Sequence, residues 1–134
     1  LREVEEHQFK RPKVRDIMLA EDIKIYASDS LYQVKKILEW EGIFHCCVVS
    51  EDDEFIGMID LESIIKLEKT ENFNELCAGD ICHGAEHVLF GSMDASEGIE
   101  TVVIDRYHSC PVFEGGKVTG ILNIEEIFPL ENFN

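Results

Sequence analysis

Basic residues are scarce in this chain. Twelve Lys and Arg stand against 28 Asp and Glu in 134 residues, a formal net charge of −16 at pH 7. A surface of that sign repels phosphate backbones and anionic headgroups, so neither nucleic acid nor a membrane surface is an expected partner. Long apolar runs are missing as well. Nothing approaches the roughly 18 residues that would span a bilayer, and Leu1 to Lys13 is charged rather than signal-like. The five cysteines are an odd number at no framework spacing, with Cys46 and Cys47 adjacent inside an apolar run; this suits a reducing compartment, by default the cytoplasm. There is no nucleophile elbow, no P-loop and no Gly-x-Gly-x-x-Gly, and the acidic run Glu51 to Glu54 reads as a solvated turn, so the chain is not expected to be an enzyme.

What the chain does have is an internal repeat. Val14 to Val49 lies on Ala78 to Phe113 with a constant offset of 64 and no gap, matching Asp16 and Ile17 to Asp80 and Ile81, Ser28 to Ser92, Cys46 to Cys110, and Val48 to Val112. After one deletion in a turn the offset becomes 63, and Gly57, Glu62 and Ile64 fall on Gly120, Glu125 and Ile127. The apolar pattern follows, with Ile25 on Leu89, Leu38 on Val102, Met58 on Ile121 and Leu61 on Ile124. Two copies of one unit of about 55 residues, each marginal alone, can share one core.

Each copy predicts the order β-α-β-β-α. In the first, Ile23 to Tyr26 is a short strand, and Ser28, Asp29 and Ser30 are candidate caps. Leu31, Val34, Ile37, Leu38 and Glu41 then fall at helical spacing until Gly42. Cys46 to Val49 and Phe55 to Ile59 form a hairpin, and Leu61 to Leu67 a second helix. The second copy places strands at Val88 to Phe90, Cys110 to Phe113 and Val118 to Leu122, with helices at Asp94 to Ile104 and from Ile124. The expected divisions are an arm over 1–13, repeat 1 over 14–67, a polar linker over 68–77, repeat 2 over 78–128 and a tail over 129–134. Because the chain opens on Leu1, it reads as a piece of a longer protein whose other domain supplies an activity.

Three motifs give the pattern a family. Val14-Arg15-Asp16-Ile17-Met18 and Ala78-Gly79-Asp80-Ile81-Cys82 are similar to the lead-in of the cystathionine β-synthase (CBS) domain. Cys110-Pro111-Val112 resembles its small-Pro-Val strand, and Gly57-Met58-Ile59 and Gly120-Ile121-Leu122 its Gly-hydrophobic-hydrophobic strand. The chain thus resembles a tandem pair of such domains, a Bateman module. That resemblance implies an α/β (α+β) fold in which two β-α-β-β-α repeats pack about a pseudo-two-fold axis. It also implies two clefts able to hold adenine nucleotides, a regulatory role toward an attached enzyme or transporter domain, and a homodimer.

In ligand-binding members the Gly-hydrophobic-hydrophobic strand is followed by Thr or Ser for a phosphate and, three residues on, by Asp for the ribose diol. Here those positions hold Asp60 and Ser63 in repeat 1, and Asn123 and Glu126 in repeat 2. Asp60 would repel a phosphate, whereas Glu126 can accept from a diol and Asn123 can donate to an anion. The resemblance therefore favours the cleft of Asn123 and Glu126, counted together with Leu89, Phe90 and His108, over that of His45, Asp60 and Ser63. Basic residues that some members place before the small-Pro-Val strand are replaced by Phe44 and His45, and by His108 and Ser109. On charge, AMP or adenosine is expected ahead of ATP.

Blander readings stand beside these. Asp60, Asn123 and Glu126 are also ordinary helix-start residues. His45 and His108 adjoin buried strands, where packing suffices, and Trp40, Phe44 and Tyr107 serve equally as core or dimer contacts. Cys77, Cys82, His83 and His87 mix thiol and imidazole, but their spacing is unlike that of structural zinc sites, so no metal is expected.

Overall fold

The computed structural model describes residues 11–20 and 23–127. The elements run α1 (Val14–Ile17), β1 (Leu19–Ala20), β2 (Ile25–Tyr26), α2 (Leu31–Glu41), β3 (His45–Val49), β4 (Phe55–Asp60) and α3 (Leu61–Leu67). After a 3-10 turn at Phe73–Glu75 come α4 (Ala78–Ile81), β5 (Leu89–Phe90), α5 (Ala95–Ile104), β6 (Ser109–Glu114), β7 (Lys117–Asn123) and α6 (Ile124–Ile127). The helix α2 follows from its sequence. Ser30 accepts the Gln33 N–H as a cap, Leu31, Val34 and Leu38 bury one stripe, and Gly42 ends the helix at φ 68°.

Two sheets result. One is ordered β2-β3-β4 and the other β1-β7-β6-β5, each built on an antiparallel hairpin with a parallel edge strand. Both hairpins carry a register shift at equivalent places, Val48/Val49 and Val112/Phe113.

The unit of sequence is not the unit of packing. Val14, at the start of repeat 1, is buried in the core of repeat 2 with Leu89, Val102, Cys110, Val112 and Leu122. Ala78, at the start of repeat 2, is buried in the core of repeat 1 with Ile25, Leu31, Val34, Leu38, Val48 and Ile59. The exchange is reciprocal down to single hydrogen bonds. Val14 and Arg15 N–H donate to Met93 and Gly91 carbonyls, just as Ala78 and Gly79 donate to Asp29 and Ala27. The backbone N–H of Lys13 is held by Asp16, as that of Cys77 is by Asp80. Each folded half therefore takes its first turn from the other. The stretch expected to be a polar linker is partly core, because Phe73 is buried in repeat 1.

Where the lead-ins cross, the fold requires glycine. A Cβ on Gly57 would stand 2.7 Å from the His83 carbonyl, and one on Gly120 2.8 Å from the Leu19 carbonyl. At these crossings Leu19 pairs with Ile121, and Met58 exchanges two backbone hydrogen bonds with His83. Between the sheets Cys47, Met58 and Ile121 close a small central core.

Candidate functional site

The two halves are alike in backbone and unlike in their clefts. One cleft, of about 170 Å³, is walled by repeat 1 through Leu19, Ala20, Ile23, Ile25, Ile37, Leu38, Glu41, Ile43, His45 and Cys46, and by repeat 2 through Ile121. Its walls are apolar apart from Glu41 and His45. Shifted by the repeat offset, the same positions in repeat 2 include His83, His87, Asp105, Tyr107, Ser109 and Cys110, with Met58 in place of Ile121. There the side chains engage one another. The His83 ring stacks on Tyr107 with centroids 3.8 Å apart, and His87 Nδ1 lies 2.8 Å from Asp105 Oδ1. Tyr107 thus makes its ring contact with an imidazole of its own repeat.

Asp105 anchors this second cleft. It is buried, and besides His87 its carboxylate takes the backbone N–H groups of Tyr107 and Ser109. Burial pushes its pKa up, but hydrogen bonds from His87, Tyr107, Ser109 and Cys110 outweigh that and hold the carboxyl below its ordinary value. The adjacent Cys110 thiol is pushed up to about 12, by burial first and then by the Asp105 charge. Cys110 is therefore a thiol, not a nucleophile.

The residues singled out at the ends of β4 and β7 behave differently in the two halves. Asn123 is buried, faces Ser109 across the hairpin and accepts its hydroxyl proton, so it is engaged inside the fold. The matching pair in repeat 1 is His45 and Asp60. Asp60 turns away to cap α3, accepting from Ser63 N–H at 2.9 Å and Ser63 Oγ at 2.8 Å, and His45 Nδ1 is left buried with no hydrogen-bond partner. Asp60 and Ser63 thus act as a cap, as their position at a helix start allows. His108 has a left-handed backbone, φ 54°, and its carbonyl receives the Ile124 N–H, as the Phe44 carbonyl receives that of Leu61. Glu126 lies in α6, and its side chain is outside the described part of the structure.

Leu89 and Phe90 fall on opposite faces of β5. Leu89 is wholly buried in the core, and Phe90 faces outward onto an open groove with Arg15 and Glu114, because strand alternation sends neighbouring side chains to opposite faces. The four candidate metal ligands are also dispersed. Cys77 sits at the start of α4, Cys82 packs against the repeat 1 core, His83 stacks on Tyr107 and His87 bonds Asp105. What sequence reasoning missed was Glu41 and the Glu86–His87–Asp105 cluster; the offset pairing Glu41 with Asp105 was the available signal.

Residues 14–69 match the family model of the CBS domain. CBSX2 from Arabidopsis thaliana is 18% identical and superposes with a TM-score of 0.72 over 88% of this chain and 92% of that one; a structure of CBSX2 in complex with AMP is 19% identical, TM-score 0.72, over 87% and 93%. The chain has the fold of a CBS pair. The CBS domain of a bacterial CNNM/CorC family Mg²⁺ transporter, in complex with ATP, is 18% identical with a TM-score of 0.74, covering 87% of this pair and 84% of that chain. No curated protein sequence matches the pair. Among its described residues no helix is long and apolar enough to cross a membrane.

Proposed function

We propose that this CBS pair is a non-catalytic regulatory module that takes an adenosine-type ligand in the cleft walled by repeat 1 and Ile121, and so biases an attached or partner domain. The observation that carries the reading is the asymmetry of the clefts: one is open and apolar with an unpartnered His45 Nδ1, while its equivalent is bridged by its own side chains. A buried nitrogen without a partner costs about 1–3 kcal/mol, a deficit that a ligand's hydrogen bond would offset. At about 170 Å³ the cleft is smaller than the roughly 300–1,000 Å³ of sites that enclose a whole drug-sized ligand. It suits a flat ring, with sugar and phosphate outside. The resemblance favours the cleft of Asn123 and Glu126 over that of His45; Asn123 is taken up by Ser109, which moves the proposal to the His45 cleft, and Glu126 stays the ribose candidate because α6, which carries it, follows β7 from Ile121 in that cleft's wall. Solved relatives in complex with AMP and with ATP support the ligand class. Charge favours the smaller anion: with a net charge of −16, AMP binds ahead of ATP.

Melting scans with adenosine, AMP, ADP and ATP test this. A ligand at 100 times its dissociation constant stabilises the fold by about 2.7 kcal/mol, a shift of several degrees in a domain of this size. AMP gives the largest shift, Glu126→Ala and His45→Ala each abolish it, and Ser63→Ala leaves it intact. No shift with any nucleotide at millimolar concentration removes the ligand reading, and a larger shift with ATP than with AMP removes the preference for AMP. A second reading, a structural dimerisation module, is favoured by Trp40 and Ile104. These occupy equivalent positions on α2 and α5 and are 88% and 73% exposed.

A further inference from the structure

We propose that Glu86, His87 and Asp105 form a binding site for a divalent transition-metal ion of the zinc class, lying across the cleft that the nucleotide does not use. One donor atom from each, the His87 Nδ1 and two carboxylate oxygens, gathers within 4.8 Å. His87 Nδ1 is 2.8 Å from Asp105 Oδ1 and 3.8 Å from Glu86 Oε1. Donors on a tetrahedral zinc at about 2.0–2.2 Å stand about 3.4 Å apart, so His87 and Asp105 open, and His87 and Glu86 close, by about half an ångström, while the two carboxylate oxygens, within 4.8 Å of each other, close by up to about 1.4 Å.

The surrounding bonds hold the donors in place. The second Asp105 oxygen is fixed by the N–H groups of Tyr107 and Ser109, and Glu86 Oε2 by the Arg106 N–H, which leaves the first oxygen of each facing His87. Such second contacts are what orient metal ligands. An ion entering this cluster replaces the proton on His87 Nδ1, which leaves to solvent. The approach is open, since Glu86 borders a shallow hollow of about 370 Å³ with Gly84, Ala85, Arg106 and Tyr107, with room for a water to complete the coordination. An imidazole among the donors selects against Mg²⁺ and Ca²⁺. The offset makes the contrast plain: Ile23 stands in the open cleft where His87 stands here. The inference is independent of whether the open cleft takes a nucleotide.

The test is zinc titration of the full chain in competition with a chromophoric chelator, with cobalt absorption as a second readout. One zinc per chain is expected. Glu86→Gln, which keeps an acceptor for Arg106, and His87→Gln, which keeps an N–H for Asp105, each weaken binding by at least about tenfold. The double variant Cys77→Ser/Cys82→Ser binds as the parent does, and the cobalt spectrum shows no thiolate band. No stoichiometric zinc, binding indifferent to Glu86→Gln and His87→Gln, or binding lost with the cysteines overturns the proposal. Melting curves of each variant without metal establish that it is folded.

Discussion

Val14 and Gly98 meet in the core of repeat 2, where a Cβ on Gly98 would lie 2.6 Å from Val14 Cγ2. Their counterparts under the repeat offset are Ala78 and Val34, buried together in the core of repeat 1. One half uses a large lead-in residue against a small helix residue, and the other reverses the sizes. The summed volume differs by only one methyl group although neither residue is kept, as close packing demands. Val14→Ala is expected to destabilise by about 1–3 kcal/mol through the cavity it leaves. Gly98→Val alone costs about as much by overpacking. The double variant, which copies repeat 1, is less destabilised than the sum of the two, and urea unfolding of all four proteins measures that coupling.

At the scale of elements, the lead-ins and the Gly-hydrophobic-hydrophobic strands are one construction, since each lead-in backbone lies where a side chain on that glycine would be. Gly57→Ala is expected to destabilise by about 1–3 kcal/mol and to speed hydrogen exchange at Met58 and His83, whose mutual hydrogen bonds it parts. Gly84→Ala, with nothing within 4 Å of its Cβ, is the neutral comparison. The main elements were legible from local signals. Ser30, the spaced Leu31, Val34 and Leu38, and Gly42 define α2, and the apolar runs define both hairpins. The exchange of lead-ins was not, because burial of Val14 among residues 75 to 108 positions later is a tertiary fact that no window on the sequence carries. The clefts were legible only by half. Sequence reading weighed the ends of β4 and β7 residue by residue, but the clefts differ through His83 and His87, whose partners Tyr107 and Asp105 lie about a score of residues away.

The whole molecule presents Trp40 and Ile104 outward on its two pseudo-equivalent helices, beside Tyr32 and Val103, which are also exposed. A homodimer through these helical faces is expected, and the double variant Trp40→Glu/Ile104→Glu should yield a single 15.3 kDa chain by light scattering while its melting temperature extrapolated to low concentration stays close to that of the parent. If the parent already scatters as a monomer at tens of micromolar, these side chains have another use. Within one chain, association takes a stricter form. Each half closes its core with a turn that belongs to the other, so the two cannot part like beads on a string; opening either one strips a wall from its neighbour. The pair is built as a clasp, each half fastened by the other's first turn, so the two are expected to unfold together.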